Sequence, residues 1–431
     1  MIAHFLLAAP SSGSGKTTLT LGLLRAFRNR GYSVQPFKCG PDYIDTLHQS
    51  AAAGRASLNL DLFLSSEEHV RRLYTTADAD IAITEGVMGL FDGADRMKAS
   101  SAAIAELLDL PIVLVVNAKA MAYSAAALLF GFKNFRPGLR IAGVIFNQVN
   151  TPTHYRILAE AAEDAGIEAL GYLPTRPEFA IPSRHLGLRV YGETDYEAII
   201  NGIAQALPET VDLDRLLSLT TCQPFRQATS RRQQRGNYRI AIARDEAFCF
   251  RYEQNIRMLE SFGNIHWFSP LDDTSLPEAD LLYLPGGYPE LAAEALSTNT
   301  FMRQAIADYC RGGGRCYAEC GGLMYLGESL TDPEGRTFPM AGVFPLQTAM
   351  HKLTLGYREV RWEDHAFRGH EFHYSAASET DEIASVAEVL NAKGIPVPTP
   401  FYRKQHTIAS YIHLYWGEDP TLLTRLFSFQ P

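Results

Sequence analysis

Basic residues are outnumbered in this sequence: 39 Lys and Arg face 48 Asp and Glu, a formal charge of −9. No Lys/Arg arm or stripe of the kind that nucleic acid demands is present, so no nucleic-acid partner is expected. No apolar run approaches the roughly 20 residues that cross a bilayer, which argues against a membrane partner. Cysteine is scarce, six in 431 residues, too few for a disulfide framework and consistent with a reducing cytoplasm. No repeat of fixed period occurs, which excludes a solenoid. The segment 1–9 is apolar but lacks a basic n-region and runs straight into a glycine-rich loop, so it reads as a strand and not a leader. What is present is ordinary for a globular chain, 46% apolar and 20% charged residues. The length suggests two or three domains.

The first informative stretch is Ser11-Ser12-Gly13-Ser14-Gly15-Lys16-Thr17-Thr18, between an apolar strand (Phe5 to Ala9) and a helical segment reaching Arg30. Glycines let backbone N–H groups and a helix N-terminus converge on an anion. Lys adds a point charge, and the Thr hydroxyl can ligate Mg²⁺. Gly13, Gly15, Lys16, Thr17 and Thr18 are therefore assigned to a nucleotide phosphate. Pro10 occupies the place where the usual loop has its first Gly. Position 11 is Ser where related partitioning ATPases carry a second Lys, which favours a chemical use of the phosphate over a dimerisation switch.

Farther on, Val34 to Asp45 reads as a short strand running into a loop with Lys38, Asp42 and Asp45, before a helix near Thr46 to Ala53. Asp80 to Gly93 repeats the form, with Glu85 placed to reach a metal held on the phosphates and Asp92 in the glycine-rich loop behind it. Apolar runs at 111–116 and 140–146 alternate with helical segments at 101–108 and 122–133. This alternation predicts an α/β fold: a P-loop parallel sheet covered on both faces by helices. Asn147 closes the last of these strands and can offer its amide to a purine edge. A helix at 212–219 ends this half, and the Gln/Arg/Ser-rich stretch 220–237 reads as a linker.

A strand restarts at 238–243, followed by a helix at 252–262. Leu284-Pro285-Gly286-Gly287 ends another strand in paired glycines whose N–H groups suit an oxyanion. Then Ala318-Glu319-Cys320-Gly321-Gly322 sets one thiol on a tight strand-to-helix elbow, where a helix N-terminus is expected to favour the thiolate. Cys320 is the candidate nucleophile. Cys39, Cys222, Cys249, Cys310 and Cys316 read as inert core, and the spacing of Cys310, Cys316 and Cys320 matches no common zinc pattern. The candidate base is His413, near the end of an apolar strand. His365, His370 and His373 alternate as on an edge strand. Cys–His–acid triads often place the acid two residues after the His, and that place is Tyr415.

Taken together, the loop at 9–18, Phe37 to Asp45, Glu85 to Gly93, Leu284 to Glu290 and Ala318 to Gly322 resemble the cobyrinate a,c-diamide synthase family of glutamine-dependent corrin amidotransferases, over nearly the whole chain. In that family Pro replaces the first loop Gly and the acidic triad member is lacking. The resemblance implies a dethiobiotin synthetase-like domain at 1–219 and a second α/β domain of the class I glutamine amidotransferase type at 238–431. It implies ATP, Mg²⁺ and glutamine, with cobyrinate or a related tetrapyrrole as acceptor. Roles follow from it: Cys320 and His413 catalytic, Gly287 and Gly321 for the oxyanion, Lys16, Lys38 and Asn147 for ATP. Thr17, Asp45 and Glu85 would hold the metal, and Asp42 and Asp92 would position metal or substrate. Hydrogenobyrinate or a nickel sirohydrochlorin as acceptor, and a regulator with a dead amidotransferase domain, stay open. So does the oligomeric state, a homodimer included.

Overall fold

The structure, a computed structural model, describes residues 3–181, 195–222, 236–378 and 382–428. They divide into two compact units at the stretch that reads as a linker. Residues 223–235 of that stretch lie outside the described residues. Its first residues belong to the first unit: His4 N donates to Thr220 O at 3.0 Å, and Thr221 bridges to Ala3.

In the first unit, β1 (Ala3–Ala8), β2 (Val34–Cys39), β3 (Leu58–Leu60), β4 (Ile81–Glu85), β5 (Ile112–Asn117), β6 (Ile141–Asn147) and β7 (Ala169–Leu173) form a sheet. The order is β3-β2-β4-β1-β5-β6-β7, and every pairing is parallel. Its helices are α1 (Lys16–Asn29), α2 (Ile44–Ala53), α3 (Glu67–Thr75), α4 (Ser101–Leu108), α5 (Ala125–Phe135), α6 (Pro152–Asp164), α7 (Tyr196–Thr210) and α8 (Leu213–Leu219). Phe5 and Leu7 enter one apolar cluster with α1 and α7, whereas Leu6 and Ala8 enter another with β5 and α4. Apolar side chains on both faces of a strand are what helices on both faces of a parallel sheet require. α2 begins two residues earlier than expected because Asp42 Oδ1 accepts from the N–H groups of Ile44 (2.9 Å) and Asp45 (3.0 Å). β1 stands between β4 and β5, where chain order reverses and ligands collect in open α/β sheets.

The second unit contains β8 (Tyr238–Ala243), β9 (Gly263–Phe268), β10 (Leu281–Leu284), β11 (Cys316–Glu319), β12 (Ser329–Thr331), β13 (Thr337–Pro339), β14 (Gln347–Trp362), β15 (His365–Ala377), β16 (Glu388–Asn391), β17 (Phe401–Lys404), β18 (Thr407–Ser410) and β19 (His413–Leu414). Its helices are α9 (Glu253–Phe262), α10 (Ala293–Thr298), α11 (Thr300–Arg311), α12 (Gly321–Leu326) and α13 (Thr421–Ser428). One sheet runs β17-β18-β11-β10-β8-β9, parallel apart from the antiparallel β17. A second sheet is built on the antiparallel pair β14 and β15, with β19 beyond β15. His370 is therefore not on an edge: β15 has β14 on one side, and on the other His370 pairs with His413. His370 and His373 are both buried.

Candidate active site

Between β1 and α1 the chain curls into a ring. Ser14 Oγ donates to Ser11 O at 2.9 Å, and Gly13 and Gly15 take left-handed backbone, φ 75° and 95°. Gly15 is required twice over, since a Cβ there would also stand 2.0 Å from Asn147 Nδ2. Asn147 itself donates to Ser14 O at 3.0 Å and accepts from Gln148 N at 2.9 Å. It braces the phosphate loop, and an amide so engaged still has a second N–H and a second lone pair. The loop after β4 docks alongside: Leu90 N donates to Ala9 O at 2.9 Å, and Lys16 Nζ donates to Met88 O at 2.6 Å. Asp92 Oδ2 accepts from Gly89 N at 3.0 Å and holds the turn. Asp42 and Asp92, expected to position metal or substrate, thus each hold local backbone.

Below the loop lies a charge cluster. Thr17 Oγ1 donates to Glu85 Oε1 at 2.7 Å and stands 3.4 Å from Asp45 Oδ2, while Lys38 Nζ is 2.6 Å from Asp45 and 2.8 Å from Glu85. Gln49 Nε2 donates to the other oxygen of Glu85 at 2.7 Å. The two lysines differ in kind. Burial lowers the Lys16 ammonium to about 8, although Glu85 and Asp45 pull it back up. Burial also acts on Lys38, but the carboxylates of Asp45 and Glu85 outweigh it and hold its pKa well above the usual lysine range. Lys38 is a fixed counter-charge; Lys16 is set against backbone carbonyls, Met88 O and, at 3.4 Å, Ser11 O. A hydroxyl and two carboxylates are the hard oxygen donors that suit Mg²⁺, which usually takes one or two carboxylates and leaves the rest to phosphates and water.

In the second unit β11 hands the chain to α12 through Cys320, at φ 47° and ψ −102°, a strained conformation for a non-glycine residue. Its backbone N donates to Ser410 O on β18 at 2.8 Å, so the elbow is pinned to the sheet. Gly286 and Gly287 follow β10. A Cβ on Gly286 would lie 2.2 Å from His413 Cε1, so the imidazole sits directly on that backbone. A Cβ on Gly321 would lie 3.1 Å from Gly287 N, so the two expected oxyanion glycines are neighbours. Cys320 lines a narrow pocket with Phe250, Gly287, Tyr288, Glu290 and His373.

The expected thiolate is not favoured. Burial, then the carboxylates of Glu290, Glu319 and Glu371, push the Cys320 thiol well above its usual range despite a hydrogen bond from Gly321 N. α12, only six residues long, is too short to reverse this. Burial, with His370 and His373 nearby, holds His413 well below the usual histidine pKa, so the imidazole is neutral and in its base form. Of the other cysteines, burial pushes Cys39 and Cys249 up to about 12, as inert core thiols require.

Two carboxylates beside the nucleophile escaped the sequence reading. Glu319 Oε2 stands 3.8 Å from His413 Nδ1 and accepts from Tyr283 Oη at 2.8 Å, while Oε1 accepts from Leu414 N at 2.9 Å. Burial raises its pKa to about 8, with those hydrogen bonds pulling the other way. The acid expected after the histidine is replaced, in space, by the residue before the nucleophile. Glu290 is the second, in the pocket itself. The motif Ala318-Glu319-Cys320 showed Glu319, but only the parallel pairing of β11 with β18, which sets Glu319 opposite Ser410, brings His413 three residues farther on to it.

Residues 5–188 match the family described as CobQ/CobB/MinD/ParA nucleotide binding domain, and residues 239–421 the CobB/CobQ-like glutamine amidotransferase domain. The chain is thus a nucleotide-binding ligase joined to a glutamine amidotransferase. Cobyrinate a,c-diamide synthase of Listeria innocua is 41% identical, over 98% of this chain and 98% of its own. Its namesake in Salmonella typhimurium is 41% identical over 97% and 96%. Hydrogenobyrinate a,c-diamide synthase of Brucella abortus is 41% identical over 95% and 98%. The chain belongs to this a,c-diamide synthase family of amidating ligases. Among the described residues no helix is long and apolar enough to cross a membrane.

Proposed function

We propose that the chain amidates the a- and c-carboxylates of cobyrinate, in cobalamin biosynthesis, with ATP as activator and glutamine as nitrogen donor. The observation that supports this best is the presence in one chain of a strained cysteine elbow whose preceding residue, Glu319, stands 3.8 Å from a neutral buried histidine, and of a phosphate loop above the Lys38–Asp45–Glu85 cluster. A carboxylate is a poor electrophile at neutral pH and needs a phosphate leaving group. Ammonium is no nucleophile and is best delivered as ammonia freed from an amide.

In the synthetase half, residues 1–219, an acceptor carboxylate oxygen attacks the γ-phosphorus of ATP, forming an acyl phosphate and expelling ADP. Lys16 and Lys38 offset the charge that gathers on the transferring phosphoryl group. Thr17, Asp45 and Glu85 would hold Mg²⁺, which supplies charge neutralisation on the phosphates when bound. Asn147 keeps the loop in shape, with its remaining amide valences for the purine.

In the glutaminase half, residues 238–431, His413 takes the Cys320 proton as sulfur attacks the glutamine amide carbon, and returns it to the departing nitrogen. N–H groups near Gly287 and Gly321 stabilise the oxyanion. Water then cleaves the thioester to glutamate, and ammonia displaces phosphate from the acyl phosphate. Glu319, 3.8 Å from Nδ1, faces the imidazole and stabilises its charged form.

Hydrogenobyrinate is the second reading, because relatives of either name are 41% identical to this chain. Mass spectrometry of products formed from cobyrinate, hydrogenobyrinate and nickel sirohydrochlorin in parallel decides. A double hydroxyl-to-amino exchange with cobyrinate alone is the expected result. The same change with another ring alone replaces the substrate. No exchange with any ring, despite ATP binding, removes the ligase reading in favour of a regulator.

A further inference from the structure

We propose that the Glu290 carboxylate is the subsite for the α-ammonium of glutamine, so that the pocket selects its nitrogen donor by the amine as well as by the amide. This rests on the glutaminase reading of Cys320. Glu290 lies in the 3-10 turn Pro289–Leu291, immediately after the Gly286-Gly287 pair, and its side chain shares the narrow pocket with Cys320. Glu290 is half-buried there, and crowding by the protein raises its pKa to about 7 while its own backbone N–H pulls the other way. Two fully buried carboxylates of this region are engaged elsewhere. Glu371 pairs with Arg358 and stands 3.2 Å from His373 Nε2, and Glu319 accepts from Tyr283 and Leu414.

A half-buried carboxylate in a pocket walled by Phe250, Met324 and Phe372 is incompletely hydrated, and a cation arriving from solvent offsets that cost. The reaction brings such a cation. Glutamine enters as a zwitterion whose amide carbon must reach Cys320 Sγ, and two methylenes separate that carbon from the carbon bearing the ammonium. A pocket lined by both Glu290 and Cys320 suits both ends. The pairing has a second consequence at the nucleophile. Glu290 contributes, after burial, the largest opposition to ionising Cys320. An ammonium on Glu290 removes that opposition, so the thiol becomes easier to deprotonate when the correct donor is seated.

The test is affinity by titration calorimetry on the full chain bearing Cys320→Ala, with L-glutamine and with glutaramate, which is glutamine with hydrogen in place of the ammonium. Glutamine is expected to bind at least about 100-fold more tightly. Adding Glu290→Gln should bring the two ligands within about threefold of each other by weakening glutamine alone. Equal affinities in the Cys320→Ala protein, or a preference that survives Glu290→Gln, would overturn the proposal. Should the double variant bind neither ligand because its pocket is disrupted, Glu290→Asp, which keeps the charge, replaces Glu290→Gln: a retained preference for glutamine supports the assignment and its loss overturns it. Ammonia release from glutamine by the unaltered protein is read separately. Its absence, with the affinity preference intact, would defeat the glutaminase reading and leave the ammonium subsite standing.

Discussion

Lys16 and Lys38 have the same chemistry and opposite tasks, because one lies between two carboxylates and the other against backbone oxygens. Lys16 sits near 8 in the free protein through burial, so a phosphate must raise its pKa on binding. Below pH 8 it is already charged and nothing is lost; above pH 8 each binding event takes up a proton. ATP affinity should therefore fall by up to about tenfold per pH unit above 8, with proton uptake visible as buffer-dependent heats. A flat affinity from pH 7 to 9.5 would contradict this. Lys38 is different, since its removal strands Asp45 and Glu85 together, at 3% and 0% exposure. Lys38→Met should lower the stability of the first unit by about 3–5 kcal/mol in denaturant titrations. A loss under 1 kcal/mol would mean that the carboxylates are neutral without it. For Glu319, with its pKa near 8, the ionised form that steadies the imidazolium grows as pH rises. Glutaminase turnover should climb through pH 8 in the native protein. Glu319→Gln should slow it about 100-fold and erase that climb, and a retained climb would assign it to another group.

At the scale of elements, β10, β11 and β19 determine the glutaminase geometry, and each contributes through backbone placement. Gly286, just past β10, forms the surface on which His413 rests. Gly286→Ala places a methyl 2.2 Å from Cε1 and must move the ring. A displacement near 1 Å costs catalysis about 100-fold, so glutamine-dependent turnover should drop by that much while ammonia-dependent turnover is kept. Equal loss with both nitrogen sources would show that the change had damaged more than the base. The same elements show what sequence can and cannot reveal. β1, β4, β5 and β10 read plainly because strands buried on both faces are continuous apolar runs. β14 did not, since Gln347–Trp362 is half exposed, rich in charged and hydroxyl side chains, and stabilised by pairing with β15 along its length. The elbow at Cys320 was legible from Gly321 and Gly322. Its state of ionisation was not, because it depends first on burial and then on carboxylates of which two, Glu290 and Glu371, are distant in sequence and only Glu319 is adjacent.

At the scale of the molecule, each unit has apolar clusters of its own among the described residues. Phe5, Phe27, Phe37 and Phe146 belong to clusters of the first unit, and Phe248, Tyr317, Trp362 and Phe401 to clusters of the second. The activities should separate just as cleanly. Cys320→Ser removes the nucleophile and should abolish glutamine use, yet leave amidation by added ammonium salts, rising with pH as the free-amine fraction grows. Asp45→Asn acts before nitrogen enters, by disturbing the cluster that accepts Lys38 and faces Thr17. It should cut amidation from glutamine and from ammonia alike, by about 100-fold or more, while thioester formation at Cys320 with glutamine persists. Product mass spectrometry measures the first, and trapping of the Cys320 adduct the second. If Cys320→Ser lost ammonia use as well, or Asp45→Asn spared it, carboxylate activation and nitrogen release would not be divided between the two units, and the acceptor would have to be phosphorylated by groups other than those gathered around Lys38.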